Sequence, residues 1–227
     1  VSAPRSVAVA ERVLQLSERD GSARLDERLL SAVFACPLPS VQKAAIAARA
    51  AAALAEQDTT RAGHWLERAR PCAPSSTAIL LAEVPLRQAR GRSGSDEPPR
   101  GQLAAAHARA AGALLEAGEH PAAAGHFGDA ARVHEREGSP EEARRMWQAC
   151  VAAAPAERLR PSMLVSAARA LHEDGRTPEA LRLLATLLVT EPGRAPDVDA
   201  ELDQALVDAE AFHRGLPDGS GAAALFA

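Results

Sequence analysis

Seven histidines and three cysteines are the side chains of this 227-residue chain best suited to metal or nucleophilic chemistry, and their spacing argues against either use. His120, His126 and His134 fall within 15 residues, and the last two stand eight positions apart. On a helix that is about two turns, so the rings share a face but lie too far apart for one metal ion, whose ligands must sit within about a turn. Cys36, Cys72 and Cys150 are odd in number and show no CxxC spacing, the pattern of buried thiols in a reducing, cytoplasmic compartment rather than of disulfides or zinc. The one lysine, Lys43, lies in an alanine run where no phosphate-binding loop can form, and neither GxSxG nor HExxH occurs. No nucleophile and base can be paired by spacing, so the expectation is a non-enzymatic chain with no catalytic residue, no metal and no cofactor.

The elements that would carry any other function are helices. The chain has 54 alanines, two isoleucines and no tyrosine. Alanine is the best helix former, and strands favour the β-branched and aromatic residues that are scarce here. Net charge is −4 with both signs interspersed, and no basic stripe exists to neutralise phosphates, which excludes direct nucleic-acid contact. Val7–Ala10 is cut off by Glu11 and Arg12, too short for a signal segment, and no run approaches the 18 or so apolar residues of a membrane span. Val1 in place of methionine is what an excised segment would show, and a mis-translated alternative start would look the same.

The helices repeat. From Ala124, one copy places Phe127, Ala130, Ala131, His134, Gly138, Ala143, Trp147, Cys150 and Pro155; from Pro161, a second places Leu164, Ala167, Ala168, Leu171, Gly175, Ala180, Leu184, Leu187 and Pro192 at the same offsets. Large residues at helical spacing share a face, and the alanines between them let a neighbouring helix approach closely. Gly138 and Gly175 can end a first helix in the left-handed conformation. Ser139-Pro140-Glu141-Glu142 and Thr177-Pro178-Glu179 supply an N-cap and a first-turn proline for the next, with a capping-box carboxylate at Glu142. Each copy is then a helix, a turn and a helix, too small to bury its own apolar side, so it must stack on a neighbour.

This spacing resembles the tetratricopeptide (TPR) repeat of about 34 residues. The resemblance implies an all-α, TPR-like α-solenoid of about five antiparallel helix pairs with a C-terminal capping helix. The expected layout is one domain over 1–214, made of a degenerate pair at 5–39, a repeat at 43–76, an irregular pair at 77–120 interrupted by a loop at 91–101, repeats at 124–157 and 161–194, and a capping helix at 196–214. A flexible tail would occupy 215–227. In the pair at 43–76 the turn glycine is replaced by Gln57, Ser40 can cap the first helix and Asp58 the second. The Gly/Ser/Pro-rich loop could instead separate two shorter domains.

In TPR arrays the first helices line a concave groove, and carrying those positions over points to Ala47, Ala51 and Leu54 as an apolar strip. At the other end they give Asp129, Arg132, Arg136, Ser166, Arg169 and His172 as a charged one. Such a groove would take a protein or peptide partner, an arginine pair gripping one carboxylate bidentately. The alternatives are that the alanine strip is tight helix packing, or that it forms a pocket for a small-molecule effector. Trp65, Trp147, Phe34 and Phe127 carry helical spacing and read as core rather than as a ligand cage. A homodimer is compatible with this reading. The lysine and asparagine clamp with which some TPR domains hold a chaperone terminus is missing. Segments such as Ala62–Ala69 and Ala110–Gly118 also resemble the helical sensor region of large ATP-binding LuxR-type bacterial transcription regulators, which implies a role in transcription regulation.

Overall fold

A computed structural model describes residues 8, 12, 27–35, 38–93, 101–188 and 196–215. The expected helix at Val7–Asp20, Cys36, most of the 91–101 loop, Pro192 and the tail beyond Gly215 lie outside the described residues. Among those described, every regular element is helical and no strand occurs. The chain falls into two compact units, residues 1–113 and 114–227, and the division lies inside a helix rather than in the 91–101 loop.

In the first unit, α1 (Glu27–Ala35), α2 (Ser40–Leu54), α3 (Thr59–Ala69) and α4 (Thr77–Ser93) precede α5 (Gln102–Glu116), which runs across the division. Helix α2 packs on α3 and both pack on α4. The interface is made of small residues: Ala44, Ala47, Ala48, Ala50, Ala51 and Ala55 are all fully buried, together with Ile46, Leu54, Ala62, Trp65, Leu66 and Ala69. Alanine on both sides of a crossing brings helix axes close, which explains how a core so poor in large side chains can bury them fully. Phe34 and the Arg68 guanidinium cover the two faces of this corner, with Arg68 4.7 Å from the Trp65 ring and 4.8 Å from Phe34. Helix α4 continues through Pro85 and on to Ser93, two residues past the expected start of the loop.

In the second unit, α6 (His120–Arg136) and α7 (Pro140–Ala153) form one hairpin, and α8 (Pro161–Glu173) and α9 (Thr177–Leu188) form another; α7 packs on α8, and α10 (Pro196–Arg214) packs on α8 and α9. Within the helices most of the repeated offsets are buried. Ala130, Ala131, Ala143, Trp147 and Cys150 are inside in the first hairpin, and Leu164, Ala167, Ala168, Leu171, Ala180, Leu184 and Leu187 in the second, with Phe127 and His134 half-buried.

Turn chemistry follows the sequence in part. Gly138 and Gly175 take φ of 73° and 77°. Around each, the backbone closes a Schellman pair: Gly138 N donates to Glu135 O and Ser139 N to His134 O, while Gly175 N donates to His172 O and Arg176 N to Leu171 O. At Gln57 no such turn forms. Both Gln57 N and Asp58 N donate to Leu54 O, and no described non-glycine residue has positive φ. Asp58 does cap α3, accepting from Arg61 N at 2.9 Å. The other expected caps are corrected. Pro39, not Ser40, is the N-cap of α2; Ser139 makes no side-chain cap bond; and the Thr177 hydroxyl is taken by His172 Nδ1 at 2.9 Å. In those turns the proline and the preceding carbonyl start the helix without side-chain help.

Candidate functional site

The first correction concerns the apolar strip. Ala47 and Ala51 are 0% exposed and Leu54 1%, packed within the α2–α3–α4 interface, so they line neither an open groove nor an effector pocket. Tight helix packing is the reading of that alanine run that the burial supports. A spacing rule cannot tell which neighbours cover a face, and here both α3 and α4 pack on α2.

The charged strip divides into two clusters. Gly128 sets the first. A Cβ at this position would stand 2.7 Å from Met163 Cε and 3.2 Å from Trp147 Cζ3, so the glycine lets α6 sit directly against α7 and α8. One turn on, the Arg132 guanidinium lies 5.8 Å from the Trp147 ring centre and is held on two sides, by Asp129 Oδ1 at 3.4 Å and by donation to Ser162 Oγ at 2.9 Å. Arg160 approaches the same Asp129 oxygen at 3.6 Å, and Arg136 Nε donates back to Arg132 O at 3.3 Å. Asp129, Arg132 and Arg136 are therefore engaged with one another and with α8. Arg132 thereby ties α6 to α8, while Arg136 bonds back within α6. Beneath them, burial pushes the Cys150 thiol up to about 11, against the pull of Arg132 and Arg160. Burial likewise lowers the His126 pKa, with Asp129 opposing. His172 is occupied too, bonded to Thr177 and edge-on to Phe212 at 5.3 Å.

The second cluster is open. A cavity of about 600 Å³ lies between the end of α6, the start of α7 and the middle of α8. Helix α7 presents Pro140, Ala143, Arg144 and Trp147 to it, and α8 presents Ser166, Arg169, Ala170 and Glu173. Both sets follow the i, i+3, i+4, i+7 spacing of a single helix face. Glu135 and Gly138 close the rim. Trp147 forms the floor, itself buried, its Nε1 donating to Glu135 Oε1 at 2.7 Å. Arg144 and Arg169 make no hydrogen bond or ion pair among the described residues. The cavity thus holds two uncommitted guanidiniums, two carboxylates and a serine hydroxyl over an aromatic floor, donors and acceptors suited to recognition.

Of the expected site residues, Ser166 and Arg169 line this cavity. Arg144 was missed because the groove rule looked only at first helices, whereas α7 is a second one; its face could have been found by the same helical spacing. Among the described residues no group of three histidine, cysteine, aspartate or glutamate side chains could hold a metal ion, and no helix is long and apolar enough to cross a membrane. Cys72 and Cys150 are free thiols. No family model matches the sequence, and no curated protein matches it either.

Proposed function

We propose that the chain is a non-enzymatic binding scaffold whose hairpins are TPR-like repeats, stacked within each unit in the manner of an α-solenoid, and that its second unit receives an acidic segment of a protein partner. The observation that carries this reading is the pair Arg144 and Arg169, which line one 600 Å³ cavity with no counter-charge among the described residues bonded to them. A guanidinium offers a planar fork that meets a carboxylate bidentately, and two of them on facing helices select an aspartate, a glutamate or a chain-terminal carboxylate. Glu135 and Glu173, on the same cavity, would repel a second acid and favour a basic or amide group beside the first. The hydrophobic contribution comes from Ala143, Ala170 and the exposed edge of the site above Trp147. On the same proposal the scaffold is a sensor segment of a larger bacterial regulator, a reading that rests on the alanine- and arginine-rich texture alone.

The test is selection of peptides from a random library against the full chain. Enrichment of one acidic position, lost when the selection is repeated with the R144A/R169A double variant, supports the proposal. Enrichment without an acidic position, or enrichment that survives the double variant, refutes it.

A further inference from the structure

Several acids and arginines at helical spacing in this chain pair with the acid ahead of its base. Glu67 stands 3.2 Å from Arg70, Asp129 stands 3.4 Å from Arg132, and Glu210 meets Arg214. Arg169 and Glu173, four positions apart on α8, come in the opposite order. Neither makes a hydrogen bond or an ion pair among the described residues. An acid ahead of its base is the better arrangement on a helix, because each charge then lies nearer the end of the dipole that favours it; the reverse order weakens the pair and leaves both charges available.

Glu173 is also set against its own helix. It is the exposed last residue of α8, where the terminal carbonyls favour a cation. It has no part in closing the turn, which the backbone does through Gly175 N and Arg176 N. The next residue, Asp174, is a second acid, but it accepts from Gln148 Nε2 of α7 at 3.0 Å. Of the two carboxylates on the cavity, Glu135 already accepts the indole N–H of Trp147, so Glu173 is the one without a bond among the described residues. An unpaired acid at this end of a helix breaks a local rule of stability, as residues reserved for a ligand do. The cavity thus offers positive charge at Arg144 and Arg169 and, about 6 Å further along α8, negative charge at Glu173.

We infer that the segment held by this cavity carries a lysine or arginine at a fixed spacing from its acid, and that Glu173 holds that base; this rests on the acid-binding reading proposed above. A separation of about 6 Å corresponds to roughly two residues of extended chain or four of helix, which places the base two or four positions from the acid. A uniformly acidic segment is rejected, because its second acid would face Glu173 unpaired.

The peptide selection, read for a second position and repeated with Glu173→Lys as bait, tests it. Lysine or arginine enriched two or four positions from the acid, and exchanged there for aspartate or glutamate with the E173K bait, supports the inference. In calorimetric titration of the selected peptide, alanine in place of that base weakens binding to the wild-type chain at least tenfold and leaves the affinity for Glu173→Gln unchanged. Acid dependence with no enriched base, or a base whose replacement weakens binding to E173Q as much as to wild type, overturns the inference and leaves the acid site standing. Enrichment without an acidic position overturns both. Each variant removes the disfavoured charge from the end of α8, so both should melt at or above the wild-type temperature; a lower midpoint would mean that Glu173 is paired within the chain, which also overturns the inference.

Discussion

Removing the Trp147 side chain tests the packing on which the second unit depends. Trp147 is 1% exposed and joins α7 to two other helices: it stacks under Arg132 of α6, meets Gly128 of the same helix, and lies beside the α8 side chain Met163 that shares the Gly128 contact. Trp147→Ala leaves a void far larger than Met163, the one flexible apolar side chain beside it, can fill. Large-to-small aromatic truncations of this kind cost roughly 3 to 5 kcal/mol. Trp147→Phe keeps most of the ring and loses the 2.7 Å bond to Glu135, whose acceptor is exposed, for about 1 kcal/mol. With a urea dependence on the order of 1.5 to 2 kcal/mol per molar for about 100 residues, the alanine variant should lower the unfolding midpoint by roughly 2 M and the phenylalanine variant by less than 1 M. Circular dichroism at 222 nm reads both, since every regular element described is helical. Equal midpoints for wild type and Trp147→Ala would refute the reasoning, because they would mean that the indole is exposed and the repeat offsets are misassigned.

Three further expectations follow from particular contacts. Ala47→Leu should destabilise by about 1 to 3 kcal/mol, because Ala47 sits at 0% exposure in a helix interface; a neutral thermal melt would restore it to an open surface. Gly138→Val should cost about 1 to 2 kcal/mol, since its φ of 73° is strained for a β-branched residue, whereas Gly112→Ala, in a helix interior with open space around it, should stabilise by up to about 1 kcal/mol; melts giving both substitutions the same sign would contradict the turn assignment. For Cys150 the folded pKa of about 11 lies above the unfolded value near 9, so the unfolded state loses its proton first as pH rises. Stability is complete below about pH 9 and falls across the window from 9 to 11 by about 2 to 3 kcal/mol in all. Urea midpoints at pH 8 and 10.5 should diverge less in Cys150→Ala than in wild type, and an equal divergence would place the thiol outside the core.

How far the sequence reached depends on what each pattern encodes. Helical spacing encodes which residues share a face, and that is why the interior offsets of both copies, from Ala130 to Cys150 and from Leu164 to Leu187, coincide with buried positions. It does not encode what lies against the face. Ala44, Ala47, Ala48 and Ala51 read equally well as a groove or as a contact, and only the packing of α3 and α4 on α2 settles which. Glycine encodes a backbone conformation directly, so Gly138 and Gly175 were legible one by one, whereas Ser139 and Thr177 have hydroxyls with other bonding choices and Thr177 took one of them. The arginines were the least legible. Arg132 carries the signature of a free cation and is tied down by Asp129 and Ser162, the latter 30 residues away, while Arg144 and Arg169 become neighbours of one cavity only through the packing of α7 on α8. Glu83 accepts from Arg70 and Arg109, 13 and 26 positions away, and the one local sign of that cluster is an acid inside the apolar run from Ile79 to Val84.

The central claim is that Arg144 and Arg169 hold an acidic group of a partner. It is tested most directly by calorimetric titration of a library-selected peptide into the wild-type chain and into R144A/R169A. The account predicts at least a tenfold weaker affinity in the double variant, with its urea midpoint unchanged, and a matching loss when the acidic residue of the peptide is replaced by its amide. Equal affinity for the two proteins would contradict it.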